Sequence, residues 1–159
     1  MSEKGIPPEI QGIVQLQSAL FGLTQAFKEK YGDEALKVSE SFIENMGVKM
    51  GTQIKEKEGI TGSDLQDVEK VFHTFTRPLT SGATAKSVLE GNKLTIIRES
   101  PALCPGIYVA KQLNVPLEYV CKTVNFPMML GVAKAVNPHA KHASIHLSEE
   151  RCEELIEVP

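Results

Sequence analysis

Cys104 is the residue of this sequence whose setting points most directly to chemistry. It lies in the segment Glu99-Ser100-Pro101-Ala102-Leu103-Cys104-Pro105-Gly106, between a run typical of a β-strand (93–98) and a run typical of a helix (107–113). A cysteine at a helix start faces free amide groups and the positive end of the helix dipole, and both favour the thiolate. The sequence therefore predicts a nucleophilic thiol at Cys104, although a cysteine at a buried junction can equally serve as a small apolar residue.

A second candidate site consists of sulfur and imidazole donors that suit a tetrahedral zinc ion, namely Cys121, His142, His146 and Cys152. A spacing of four residues would place His142 and His146 on one face of either a strand or a helix. Either histidine is also a candidate general base for Cys104. Against a metal, the two cysteines of this set are 31 residues apart and the chain has no Cys-x-x-Cys clip. A zinc site and packing of Cys121 in the core both stay open.

Length and composition limit the class of protein. With 159 residues, 42% of them hydrophobic, the chain can bury one core. A single domain over 1–159 is expected, with a mainly helical part over 1–78 and an α+β part containing the cysteines over 79–159. The net charge of −3 and the absence of tryptophan argue against nucleic-acid binding. With no signal sequence, no apolar run near ~20 residues and three widely spaced cysteines, a cytoplasmic protein without membrane association is expected.

The N-terminal part has the periodicity of helices. Apolar residues recur at three- and four-residue steps over 9–30, and again from Asp33 to a predicted stop at Gly51, which together predict a helical hairpin. After a polar loop, Ser63 has the position of the first residue in a capping box, and a third helix is expected to end near Arg77.

The texture then changes to that of a β-hairpin. Strands are expected over 83–89 and 93–98, joined by a turn at Gly91. In the second strand the alternation places Arg98 on one face and Glu99 on the other, so both charged groups would arrive at the Cys104 junction.

The last third of the chain predicts a bent helix and at least one strand. Apolar residues recur at helical spacing over 117–136, and Pro127 should bend or break this helix near Asn125. Strict alternation predicts a strand over 141–147, while 148–158 fits either its partner strand or a capped helix. The order of elements predicts an α+β fold, with an N-terminal helical hairpin and an antiparallel sheet covered on one side by helices.

From about residue 80 to 158 the chain resembles the L-2-amino-thiazoline-4-carboxylic acid hydrolase-like family, which is similar to the 4-vinyl reductase domains that serve as small-ligand-binding modules. The resemblance rests on Cys104-Pro105, on the run Ala110 to Leu113 with Asn114-Val115-Pro116, on Cys121, on a helix ending near Val136, and on a β segment reaching Cys152. Relatives usually have a Gly-Asp turn before the last cysteine, where this chain has Ser148-Glu149-Glu150-Arg151.

The resemblance implies a ligand pocket between sheet and helices and frequently a dimer. For the hydrolase relatives it implies opening of a small thiazoline- or amidine-type ring, here with Cys104 as nucleophile and His142 or His146 as base. For the sensor relatives it implies a zinc site, here at Cys121 and Cys152. Three functions therefore stay open: a hydrolase of a C–N bond, a non-enzymatic module that binds a metal or a small ligand, and a partner-binding subunit whose N-terminal helical hairpin forms a dimer face. A homodimer is expected, with the N-terminal hairpin as one candidate face.

Overall fold

A computed structural model describes residues 6–79, 85–99 and 104–159 of the protein and has the predicted α+β fold. The helices are α1 (Pro8–Tyr31), α2 (Asp33–Lys57), α3 (Leu65–Thr76), α4 (Pro105–Leu113), α5 (Leu117–Val120) and α6 (Phe126–Val136), with a 3₁₀ turn at Arg77–Leu79 and a π-helical turn at Cys121–Asn125. The strands are β1 (Ala85–Glu90), β2 (Lys93–Glu99), β3 (Lys141–Leu147) and β4 (Arg151–Glu157). Within the described ranges, no helix is long and apolar enough to cross a bilayer. Residues 83–84 of the first predicted strand and 100–103 of the predicted junction lie outside the described residues.

The four strands form one antiparallel sheet in the order β1-β2-β4-β3. The last strand of the sequence is therefore a central strand, which decides the open assignment of 148–158 in favour of a strand. Helices α3 and α6 pack on the face where Leu94, Ile96 and Ile156 are fully buried, together with Phe72 and Val132 of those helices.

The turn between β3 and β4 forms without a glycine. The hydroxyl oxygen of Ser148 accepts hydrogen bonds from the amides of Glu150 (3.3 Å) and Arg151 (3.0 Å), and the Ser148 amide donates to the Arg151 carbonyl at 2.8 Å. A serine side chain that satisfies turn amides in this way replaces the backbone freedom that glycine would supply.

The prediction that His142 and His146 share one face is wrong, because β3 contains a bulge. Opposite β4, His142 pairs with Ile156 on the core face, but the register shifts between Ser144 and His146, so that His146 pairs with Glu153 on the other face. One extra residue in a strand reverses the direction of every side chain after it. His146 is accordingly exposed, whereas the His142 side chain is only 3% exposed.

The α1–α2 hairpin is present as predicted, with its turn at Gly32, whose φ of +77° suits glycine. The predicted stop at Gly51 is wrong, since α2 continues to Lys57. Gly51 instead lies where α6 crosses α2, and a Cβ atom there would be 2.7 Å from the Ala135 Cβ atom. Helix α3 is capped by Asp64, whose carboxylate accepts a hydrogen bond from the Asp67 amide, and not by Ser63 as predicted.

The closest approach of α2 and α6 occurs at Gly47 and Gly131. A Cβ atom on Gly131 would overlap the carbonyl oxygen of Glu44 and lie 2.9 Å from both the Glu44 carbonyl carbon and the Val48 nitrogen. All of these are backbone atoms of α2, so neither helix can yield by changing a rotamer. The crossing thus requires glycine, and it fixes α6, with the π-helical turn before it, against the hairpin.

We expect Gly131→Ala to lower the free energy of unfolding by about 2–3 kcal/mol, because an added methyl group must push α2 and α6 apart. The matched control is Gly12→Ala on α1, where a Cβ atom would meet nothing within 4 Å. Removing a helical glycine there should raise the free energy of unfolding by about 0.5–1 kcal/mol. Urea denaturation of both variants measures the difference, and equal effects would contradict the tight crossing.

Candidate functional site

Cys104 is the N-cap residue of α4, and Pro105 occupies the first turn, as the sequence predicts. The amide groups of Gly106 and Ile107 and the guanidinium of Arg98 favour its thiolate. Burial of the sulfur opposes these groups and outweighs them, so the pKa of the Cys104 thiol is raised rather than lowered. The predicted position of the thiol at a helix start is confirmed, whereas burial shifts its pKa in the direction opposite to the predicted activation.

Arg98 and Glu154 form a buried ion pair on the core face of the sheet. The Arg98 Nη2 atom donates to the Glu154 Oε2 atom at 2.6 Å, and the two side chains are 13% and 3% exposed. Burial alone would raise the pKa of Glu154, but Arg98 and His142 outweigh it and bring the pKa to about 2. The pair therefore stays fully ionised, and its two charges cancel inside the fold.

Cys152 lies directly opposite Arg98 in the pairing of β2 with β4. The Arg98 Nη1 atom donates to the Cys152 sulfur at 3.7 Å, and the Phe72 ring lies 5.7 Å from the guanidinium carbon. Burial and the nearby Glu154 carboxylate nevertheless raise the pKa of the Cys152 thiol to about 12. Arg98 thus positions this sulfur without converting it to a thiolate.

His142 belongs to the same buried cluster but does not serve Cys104. Its Nε2 atom is 3.7 Å from the Glu154 Oε1 atom and has no hydrogen-bond partner, and its ring lies 5.3 Å from the Phe126 ring. In the described part of the chain, no hydrogen bond joins a histidine to Cys104, and His146 is on the opposite face of the sheet. His142 lies on the core face beside Glu154, and its role as a base for Cys104 stays a prediction.

Cys121 approaches the site from the π-helical turn, where the sequence predicts a bend before Pro127. This turn directs Asn125 inward, and the Asn125 Nδ2 atom donates to the Cys121 sulfur at 3.4 Å. A Cβ atom on Gly106 would lie 2.6 Å from Asn125 Nδ2 and 3.6 and 3.7 Å from the sulfurs of Cys121 and Cys104. Gly106 therefore lets α4 pack against both thiols. Burial is the largest cause that raises the pKa of the Cys121 thiol, and the neighbouring thiols of Cys104 and Cys152 raise it further.

Cys104 and Cys152 line one narrow cleft, here called the thiol cleft, which has a volume of about 30 Å³. The remaining walls are Arg98, the apolar side chains Ile107, Leu117 and Leu147, and the β3–β4 turn from Ser148 to Arg151. An exposed ion pair between Lys111 of α4 and Glu149 of the turn, with N and O 2.5 Å apart, spans α4 and the turn beside the cleft.

The predicted zinc ligands do not assemble into one site. His146 lies across the sheet from His142, so Cys121, His142, His146 and Cys152 cannot converge on one ion. Across residues 6–79, 85–99 and 104–159, no group of three or more His, Cys, Asp or Glu side chains is placed to hold a metal. Zinc therefore stays only an expectation of the resemblance.

Glu154 and Asn125 are the residues of the candidate site that the sequence does not predict there. The signal for Glu154 is the alternation of β4, which puts a carboxylate between Cys152 and Ile156 on the buried face. A buried acid in that position needs a cationic partner. Arg98, at the end of the predicted strand 93–98, is a cationic residue that could pair with it. For Asn125 the sequence predicts only that the helix bends near this residue.

Comparison with protein families finds no family that matches this chain, and comparison with curated proteins finds no significant match. The resemblance of the second half therefore rests on the residues alone.

We expect Glu154→Gln to lower the free energy of unfolding at pH 7 by about 3 kcal/mol, because it leaves Arg98 charged and buried without a counter-ion. The carboxylate stabilises the fold above its unfolded pKa of ~4.3, and this contribution is lost as the pH falls through the folded pKa of about 2. Urea denaturation from pH 7 to pH 2 should therefore show a weaker acid dependence in the variant. The control is Glu157→Gln, which removes an exposed pair with Lys93 and should cost less than ~1 kcal/mol.

We expect all three thiols to react slowly with iodoacetamide at pH 7.5, at least ~100-fold more slowly than the same thiols in urea, because the thiolate is the reactive form. In the folded protein the thiols keep their protons above the unfolded pKa of ~8.5. The free energy of unfolding should therefore also fall as the pH rises past that value. Mass spectrometry of alkylated peptides measures each site. Faster alkylation of Cys104 in the folded protein than in urea would contradict this prediction and indicate an activated nucleophile.

Proposed function

We propose that the protein is a non-enzymatic small-ligand-binding module whose ligand site is the thiol cleft. The observation that supports this proposal is that two thiols, an Arg98 side chain and three apolar side chains line one cleft between sheet and helices. Cys104, the one of these residues with a helix-start position, forms no hydrogen bond with a histidine in the described residues, and His146 lies on the other face of the sheet. The arrangement thus favours holding a molecule over transferring a proton to or from it.

The chemistry of the walls favours a small, uncharged ligand. The charge of Arg98 is already compensated by Glu154, so an anion would have to displace a carboxylate that is 97% buried. The three thiols are neutral because burial, as the largest cause, raises their pKa values. Neutral sulfurs beside Ile107, Leu117 and Leu147 suit soft or apolar ligand atoms, such as those of a thiazoline ring.

Entry of such a ligand requires movement of the β3–β4 turn. A volume of about 30 Å³ has room for about one water molecule. The Ser148–Arg151 turn closes one side of the cleft. Both side chains of the Lys111–Glu149 ion pair beside it are exposed. Because exposed ion pairs contribute little stability, this turn is the wall that can yield.

The second candidate function is the hydrolase that the resemblance suggests. In its favour, the amides of Gly106 and Ile107 and the Arg98 guanidinium all favour a thiolate at Cys104. Such a thiolate would add to the amidine-like carbon while the π pair of the C=N bond moves to nitrogen, which takes up a proton. Expulsion of the ring sulfur as a thiolate opens the ring, and water that attacks the same carbon releases the product and the Cys104 thiol. His146 cannot supply or accept these protons from the opposite face of the sheet. The proposal also includes a cytoplasmic location, because three unpaired cysteines suit a reducing compartment, and a homodimer as an expectation of the resemblance.

The test uses 2-methyl-2-thiazoline, a small uncharged ring, and compares two edge-strand variants. Leu147→Trp fills the cleft, whereas Leu89→Trp places the same side chain on the other edge of the sheet. At about 100 times Kd, the ligand should stabilise wild type and Leu89→Trp by about 2.7 kcal/mol in thermal unfolding, but not Leu147→Trp. Failure to stabilise wild type would contradict the proposed ligand class.

Release of free thiol in the same samples separates the two candidate functions. Addition of water across the C=N bond of 2-methyl-2-thiazoline opens the ring and yields N-acetylcysteamine, which carries a thiol. A binding module releases none above the spontaneous rate. Catalysed release that Cys104→Ala abolishes would contradict the binding module and support the hydrolase.

A further inference from the structure

A large apolar concavity, separate from the thiol cleft, lies between α1 and α2 near the tip of their hairpin. This groove, here called the hairpin groove, has a volume of about 690 Å³. Its main lining residues are Leu20, Leu23, Phe27, Tyr31, Val38 and Phe42, and Glu34 is the one charged residue among the lining side chains described. Its chemistry is therefore that of a protein core rather than of a polar active site.

The lining side chains are open to solvent to an extent that is unusual for a monomer. Val38 is 71% exposed, Tyr31 62%, Phe42 59% and Leu23 56%. These residues form one contiguous apolar patch, whereas isolated exposed apolar residues are normal on protein surfaces. The opposite side of the hairpin already packs on the core through Ile10, Val14, Phe21 and Ile43. The hairpin therefore has two apolar faces, of which one packs on the core and the other, the hairpin groove, is open to solvent.

The spacing of the exposed residues identifies the shape that fits them. On α1 the apolar residues of this face follow one another at steps of three and four (Leu16, Leu20, Leu23, Phe27, Tyr31), and on α2 likewise (Ala35, Val38, Phe42); Leu20 and Ala35 are half-buried and the others are exposed. Such stripes on two antiparallel helices receive the side chains of other helices with the same spacing. We infer that the hairpin groove is the interface of a homodimer in which α1 and α2 of two copies pack as a four-helix bundle.

A second copy of this chain is the occupant that the observations favour. About 600 Å² of apolar surface per chain lies on these exposed side chains, because each is about half to two thirds exposed and an aromatic side chain buries about 150–250 Å² when fully covered. A standard interface buries about 800 Å² per partner, so the apolar patch would supply about three quarters of that area and the polar rim the rest. Two-fold pairing of identical hairpins supplies the matching stripes without a further protein.

The charges around the groove are compatible with self-association. Lys28 pairs with Asp33 at 3.8 Å, and Lys37 pairs with Glu34 at 2.8 Å, so both signs occur at the rim. Two copies brought together by a two-fold axis therefore do not oppose surfaces of one sign. This inference does not depend on the ligand proposed for the thiol cleft, because it involves neither Cys104 nor Cys152.

Sedimentation equilibrium of the full chain over about 1–100 μM tests the inference. Wild type should be a dimer, and Val38→Glu should raise the dimer Kd at least ~100-fold, because it buries two uncompensated carboxylates in the interface. The control is Ile145→Glu, a similarly exposed apolar position (54%) at the β3 bulge, which should leave the Kd unchanged. Val38→Ser is a second variant that adds no charge and should weaken the dimer less. Far-UV circular dichroism establishes that each variant is folded.

Three results would overturn the inference. A folded wild-type monomer at 100 μM would exclude the homodimer at any relevant affinity. A dimer that Ile145→Glu disrupts and Val38→Glu does not would place the interface on the sheet. Native mass spectrometry that finds a monomer with an apolar small molecule bound, released by Val38→Glu, would identify the groove as a ligand site instead.

Discussion

The buried pair of Arg98 and Glu154 is the interaction on which the rest of the site depends. Two charges removed from water are tolerated only when each compensates the other at close range. Here that requirement fixes β2 against β4, sets Cys152 beside the guanidinium and brings His142 to the second carboxylate oxygen. The ion pair therefore adds no net charge to the site, and the thiols face a neutral rather than a cationic surface.

Position and reactivity separate at Cys104. A helix start, two amides and a nearby guanidinium all favour a thiolate, and each acts at short range. Desolvation acts on the same sulfur and disfavours any charge there, and Glu154 opposes the effect of Arg98. A position that would activate a thiol at the surface thus holds it protonated when it is packed under α4. The difference between a binding cleft and an active site can lie in the solvent around the sulfur alone.

The parts of the fold that could be predicted are those that depend on local patterns. Helical periodicity located the hairpin, and alternation in β2 correctly put Arg98 on the face opposite Glu99. The errors arose where a distant segment decides the outcome. Gly51 continues a helix because α6 crosses there, and His146 turns outward because of one bulged residue, which alternation cannot reveal. The partner of Arg98 is 56 residues away, so the buried pair was beyond any local pattern.

The central place of β4 in the sheet has a consequence for how the protein acquires its site. Strands β1 and β2 are joined by a two-residue turn and can pair as soon as both exist, but β2 needs β4 as its other neighbour, and α4 to β3 come between them. Closing such a long loop costs chain entropy that no contact offsets until the strands meet. During synthesis Arg98 therefore stays in contact with water until β4 supplies the Glu154 carboxylate that pairs with it. The thiol cleft is accordingly among the last features of the fold to form.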